Sequence, residues 1–288
     1  MNRVGVSFAY WAHTWEADVK NSILRAAKTK MEALEIMSGS LMEATDAHLE
    51  EIRAVAAGNG IQLTMGMTLD GNTDISSEDS GIRNAGIQRL TKVLHIMDKL
   101  DCRILGGLTY GAWGGKISSL AEKPKRVALS IDSIKKLVKV AEDLNIQYCV
   151  EIVNRFEQYL INTAAEARDF ILRVDSPNAK ICLDTFHMNI DEDDMAQAIR
   201  TAGDLLAHMH VGENNRRIPG TGPMDWDALI GALKEIGYNG AIVMEPFLRA
   251  GDDVGDGVAL WRDLSNNATE NQMDAMIMQG ADFIRSKL

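Results

Sequence analysis

QYCVEIV, residues 147–153, is an apolar run with a single acid, Glu151, near its end, and its reading decides the fold. A β-branched and aromatic run this short reads as a strand buried on both faces. Seven more runs share its length and character: RVGVSFAY (3–10), ALEIMS (33–38), QLTMGMT (62–68), RILGGL (103–108), AKICLDT (179–185), LLAHMHV (205–211) and GAIVMEP (240–246). Helical patterns lie between them. DAHLEEIRAVAAGNG ends at a Gly58/Gly60 stop, SIDSIKKLVKVAEDLN carries Leu137, Val138, Val140, Ala141 and Leu144 on one stripe, and NQMDAMIMQGADFIRSKL closes the chain. Eight strand-to-helix units point to an α/β fold of the (β/α)8 TIM-barrel type, with a doubly wound open sheet as the alternative. No Pro/Ser-rich linker or low-complexity tract interrupts the pattern, so residues 1–288 read as a single barrel domain.

Composition narrows the function. The chain has 288 residues, 46% hydrophobic and 25% charged, close to globular averages and enough for a full core. Thirty basic and 41 acidic residues give a net charge of −11, which argues against a nucleic-acid partner. Cys102, Cys149 and Cys182 are odd in number, and two sit in apolar runs, so they read as reduced thiols in a cytoplasmic protein. The first residues enter a strand directly, and no apolar run approaches about 18 residues, so neither export nor a membrane span is expected.

In such a barrel the active site lies at the carboxyl ends of the strands. The two long segments TYGAWGGKISSLAEKPKRV and FLRAGDDVGDGVALWRDLSNNATE, after the fourth and eighth strands, are expected to roof it. The last four strands end in residues that an apolar core would not choose: Glu151, Asp184, His210 and Glu245. Period-2 alternation puts them in phase with Cys149, Cys182, His208 and Val243, on the face toward the barrel axis. Neighbouring strands are about 5 Å apart, so three carboxylates and an imidazole converge. One acid at a strand end is ordinarily a solvated loop entry, but four adjacent strands ending this way are not. Unpaired, such buried charges cost several kcal/mol each, so a cation is required. Three oxygen ligands and one nitrogen suit Mn²⁺ or Co²⁺, with Mg²⁺ also admissible. His208 lies about 7 Å deeper along its strand and reads as packing or support behind His210. His13, His48 and His95 read as surface or packing residues.

The strings VEIVNRFE (150–157), LDTFHMNIDEDD (183–194), HMHVGENNRRIPGTG (208–222), IVMEPF (242–247) and LWRDLS (260–265) closely resemble the ketose 3-epimerases, the D-tagatose and D-psicose (D-allulose) 3-epimerase group of the xylose-isomerase-like barrels. FAYWAHTWEAD near the amino terminus and SSED after the third strand extend the resemblance over nearly the whole chain. It implies that Glu151, Asp184, His210 and Glu245 ligate the metal, and that Glu151 and Glu245 double as acid and base. It implies that Glu157, His187 and Arg216 hold the ketose, that Trp15 and Trp113 line its pocket, and that the chain is a homodimer or homotetramer. Of the adjacent arginines, Arg216 matches the family position six residues after the ligand histidine, and Arg217 has no assigned task.

The chemistry agrees with the residue types. Inverting a hydroxyl-bearing carbon beside a ketone removes the C3 proton, stores charge on O2 and O3 as a cis-enediolate, and returns a proton to the opposite face. A metal chelated by O2 and O3 stabilises that charge, and two carboxylates flanking the sugar plane serve as base and acid. Gly220 and Gly222 read as turn residues rather than a phosphate cradle. Trp113, flanked by glycines, suits a lid. VSFAYW lacks a tyrosine common in relatives, so Ser7 and Phe8 bear on which ketose is preferred, as does MTLDGNTDISSED.

The alternatives within the superfamily are an aldose-ketose isomerase and an inosose-type dehydratase. Glu157, His187 and Arg216 favour the epimerase over both. An endonuclease IV-like repair enzyme would need more metal-ligating histidines and a basic face, and a non-catalytic sugar-binding protein has no use for paired glutamates around a metal.

Overall fold

The computed structural model describes residues 2–288. Eight parallel strands close into a barrel in chain order: β1 (Val4–Ser7), β2 (Ala33–Met37), β3 (Gln62–Gly66), β4 (Ile104–Gly106), β5 (Gln147–Glu151), β6 (Ala179–Asp184), β7 (Leu206–Val211) and β8 (Ile242–Met244). The pairing of β8 with β1 closes the ring and rules out the doubly wound alternative. Around it run α1 (Val19–Lys28), α2 (Asp46–Gly58), α3 (Ser80–Lys99), α4 (Lys123–Asp143), α5 (Ala164–Val174), α6 (Thr185–Asp191), α7 (Met195–Ala202), α8 (Trp226–Glu235), α9 (Asp253–Gly257) and α10 (Glu270–Lys287). None of the described helices is long and apolar enough to cross a membrane.

The strands are shorter than the apolar runs. In the first run, Phe8–Tyr10 forms a 3-10 turn instead of continuing β1, because the Ser7 hydroxyl accepts the Ala9 N–H. β8 stops at Met244, and Glu245 follows it, still tied to β7 by its N–H to the Val211 carbonyl at 2.9 Å. The helices run longer. α4 begins at Lys123, within what the sequence presents as a loop, with Pro124 in its first turn where no donor is missed. α2 includes Gly58, and Gly60 takes the left-handed turn beyond it.

Two apolar layers result. The large one lies between the barrel and its helices and draws on residues of one parity, such as Leu34, Ile36, Val150, Ile181 and Leu183. The other parity points to the axis, where Ala33, Val243 and Ala241 make a small floor. Above that floor the interior turns polar. A register shift between Ile181 and Cys182 sets Cys182 opposite His208 and Asp184 opposite His210, so both histidines face inward, His210 on the level of Asp184 and His208 one layer below. Small residues make room for them: a Cβ at Gly106 would stand 3.3 Å from His208 Cδ2.

Candidate active site

Glu151 ends β5, Asp184 ends β6, His210 lies one residue from the end of β7, and Glu245 follows β8. One ligand atom from each lies within 4.8 Å of every other. Asp184 is held from two sides. Its Oδ1 caps α6 by accepting the Phe186 N–H at 2.8 Å, which leaves Oδ2 facing the cluster. His210 Nδ1 lies 3.1 Å from Glu151 Oε1. All four side chains are largely buried.

The guanidinium of Arg216 reaches this cluster, donating from Nη1 to Asp184 Oδ2 at 2.9 Å and to Glu245 Oε2 at 3.0 Å. Its plane rests 3.9 Å from the centroid of the Phe186 ring, a contact that favours arginine over lysine. Arg216 occupies left-handed backbone, φ +65°, a conformation a non-glycine residue holds only when its surroundings enforce it. The enforcing group is Glu213. Its buried carboxylate accepts the N–H groups of Gly220 at 2.8 Å and Met224 at 3.2 Å and the indole N–H of Trp226 at 2.8 Å. Its backbone exchanges hydrogen bonds with Arg216 and Arg217. A buried donor left unpaired costs about 1–3 kcal/mol, so this carboxylate fixes the loop that turns Arg216 inward. Arg217 points elsewhere, lining a surface hollow with Ile218, Leu248 and Phe283.

Above the cluster opens a pocket of about 310 Å³. Its walls include Glu151, Glu157, His187, Arg216 and Glu245, with Trp15, Trp113 and Phe247 among the apolar residues. Its size falls at the low end for small-molecule sites. Glu157 comes from the turn after β5, where its Oε2 accepts the Trp113 indole N–H at 3.3 Å. His187, from α6, has Nε2 3.8 Å from Asp184 Oδ2. Trp15 donates its indole N–H to the Asp253 carbonyl at 3.2 Å, joining the first loop to the eighth. Trp113 is half exposed at the mouth. Ser7 and Phe8 lie outside the pocket lining, whereas Met67 and Thr68, which begin the distinctive segment after β3, belong to it.

The electrostatics show an acid excess. Burial pushes the Glu245 carboxyl up to about 8, and Glu151 and Asp184 push the same way against His210 and Arg216. Burial would also raise Asp184, but Arg216, His187 and His210 hold it below the usual carboxylate range. Burial lowers His187. One guanidinium does not neutralise three carboxylates, and the donor set of three oxygens and one imidazole nitrogen fits a hard or borderline divalent cation.

Two residues that the strand-end pattern passes over belong to this site. Glu35, on β2, sits on the opposite wall with Oε2 2.7 Å from His208 Nε2 and Oε1 2.9 Å from His210 Nε2. Burial would raise its carboxyl, but the two imidazoles hold it well below the usual range. It stands as a counter-charge behind a candidate ligand histidine, close to His210 Nε2 but not aligned for a hydrogen bond with it, and is held from below by His208. The sequence signal was one acid inside the apolar run ALEIM. The second residue, Asn154, touches both Glu157 and His187.

A closed barrel whose strand ends supply acids, an imidazole and a small roofed pocket is the frame of an enzyme acting on a small polar molecule. The family model for xylose isomerase-like TIM barrels matches residues 23–267. The chain is 43% identical over 281 residues to a D-psicose 3-epimerase of Ruminiclostridium cellulolyticum, covering 98% of this chain and 96% of the relative. It is 41% identical to a D-psicose 3-epimerase of Agrobacterium fabrum, covering 98% and 97%. A solved structure of D-psicose 3-epimerase with D-tagatose from Clostridium cellulolyticum H10 matches with a TM-score of 0.96 at 43% identity over 99% of each chain. The chain belongs to the xylose isomerase-like TIM barrel family, among its carbohydrate epimerases, enzymes of the isomerase class.

Proposed function

We propose that this chain, working as one barrel domain, inverts C3 of free ketoses, with Glu151 and Glu245 exchanging the C3 proton. The observation that carries the reading is the convergence of Glu151, Asp184, His210 and Glu245 on one point at the pocket floor. Those four side chains hold a divalent cation, Mn²⁺ or Co²⁺ before Mg²⁺, which supplies the positive charge that stabilises anionic oxygens on neighbouring sugar carbons.

Glu151 and Glu245 both line the pocket, and they come from strands separated by β6 and β7. They therefore approach a bound sugar from different sides, as removal and return of a proton on opposite faces requires. One takes the C3 proton, charge collects on O2 and O3 as the cis-enediolate, and the other returns a proton to the opposite face. Glu157, His187 and Arg216 supply acceptors and donors to the sugar hydroxyls, and Trp15, Trp113 and Phe247 exclude water around it. An aldose-ketose isomerase would carry the same acids, and the relatives' names favour epimerisation at C3. The reduced, buried cysteines accord with a cytoplasmic enzyme, and a homodimer or homotetramer is the expected assembly.

Incubated with Mn²⁺ and a panel of ketoses (fructose, psicose, tagatose, sorbose and a pentulose), the protein is expected to convert at least one into its C3 epimer, resolved by chromatography. A panel yielding only aldoses, or no product at all, contradicts the proposal.

A further inference from the structure

We infer that Asn154 is a positioning residue that sets Glu157 and His187 against the sugar together, and that its amide obliges His187 to present an N–H, at Nε2, to the pocket. The inference rests on the reading of this pocket as a ketose site.

Asn154 is buried, three residues beyond Glu151 at the start of the turn after β5. Its Oδ1 accepts the Phe156 backbone N–H at 2.9 Å, and only an oxygen can accept there. The amide NH2 therefore faces the other way, donating to Glu157 Oε1 at 3.0 Å and lying 2.8 Å from His187 Nδ1. Rotating the amide would set its oxygen against a carboxylate and its NH2 against an N–H, so the orientation is determined twice over. The backbone N–H of Asn154 approaches the same His187 nitrogen at 3.3 Å. Both groups within hydrogen-bond distance of Nδ1 are donors, with Glu157 Oε1 farther off at 3.8 Å, which makes Nδ1 the acceptor and places the proton of a neutral imidazole on Nε2.

On the other side of the ring, Nε2 lies 3.4 Å from Arg216 Nη2, which is also a donor; a neutral ring can accept at one nitrogen only, and the 2.8 Å amide contact and the second donor at Nδ1 outweigh this single long one. The other polar neighbours of Nε2 are Asp184 Oδ2 at 3.8 Å and Glu151 Oε1 at 4.0 Å, both beyond hydrogen-bond distance. The Nε2–H thus projects beside the Arg216 guanidinium toward the cluster oxygens, a donor for a sugar oxygen. Glu157, gripped by the same amide, offers its acceptor alongside. One side chain therefore ties a donor and an acceptor together, with the Trp113 indole holding the other oxygen of Glu157.

Asn154→Asp tests this, because it keeps the size of the side chain and replaces the donor with an acceptor. In Mg²⁺-loaded protein with ¹⁵N-labelled histidine, the His187 ring, assigned by its loss in a His187→Gln variant, is expected to show Nε2 protonated and Nδ1 bare. In Asn154→Asp the proton should appear on Nδ1, and KM for the ketose should rise at least about tenfold, with kcat falling less. Asn154→Ala keeps the backbone donor, so it should retain the Nε2–H form while losing the hold on Glu157. That variant also covers the case in which the Asp variant does not fold. A wild-type ring protonated on Nδ1, or an Asp variant with unchanged tautomer and KM, overturns the inference. A purely structural role would lower the melting temperature of both variants and leave the tautomer unmoved, which also overturns it. The ring spectrum needs no turnover, so it stands apart from the epimerase reading: Nε2–H in a protein that epimerises no ketose sinks that reading and not this placement of the proton.

Discussion

Glu151→Gln and Glu245→Gln are each expected to lower kcat by roughly 10⁴-fold, the upper end of what a positioned acid or base contributes. Each glutamine keeps the shape of the side chain and removes the oxygen that carries the proton. Each change also weakens the cation site, since both residues belong to the four whose ligand atoms lie within 4.8 Å of one another. The two losses separate by titration: if metal content is restored by excess Mn²⁺ and turnover stays absent, the missing function is proton transfer. In metal-free protein stability should rise, because each substitution removes the burial cost of one carboxylate and its repulsion with the other acids. Initial rates of C3-epimer formation together with thermal melts check both parts. Substantial turnover in either variant would contradict the two-carboxylate scheme.

Removal of the metal should have an effect of similar size. Dialysis against a chelator is expected to take activity to background, and Mn²⁺ or Co²⁺ should restore it better than Mg²⁺ does, in keeping with a ligand set that includes an imidazole. The melting temperature should rise on reloading, since at a free-ion concentration of 100 Kd binding contributes about 2.7 kcal/mol to the folded state. The cluster supplies the reason: Arg216 and His210 only partly offset Glu35, Glu151, Asp184 and Glu245, so the apo site is short of positive charge. Full activity after exhaustive chelation, with metal absent by elemental analysis, would contradict the account.

How much of this was legible in the sequence depended on how local each determinant is. The barrel was legible because apolar runs and amphipathic helices repeat, and each is a property of a few adjacent residues. The strand ends were less so: Ser7 stops β1 through a hydroxyl-to-backbone bond that leaves no trace in the apolar pattern. Glu151, Asp184, His210 and Glu245 announced themselves because polar residues interrupt apolar runs at the same relative place in successive strands. Glu35 gave the same kind of signal, a lone acid in ALEIM, but its meaning lies with His208, 173 residues away. The choice between Arg216 and Arg217 is made by a left-handed backbone and by Glu213 beneath it, and two identical adjacent side chains cannot show that. Asn154 is a plain polar residue in a turn until α6 brings His187 against it.

The central claim is that the proton exchanged is the one on C3. The most direct measurement is the Mn²⁺-loaded protein with a ketose in D2O, followed by proton NMR of both the remaining substrate and the product. Deuterium is expected at C3, and at no other carbon, of the epimeric ketose. Conversion to an aldose with the C3 hydrogen retained would contradict it.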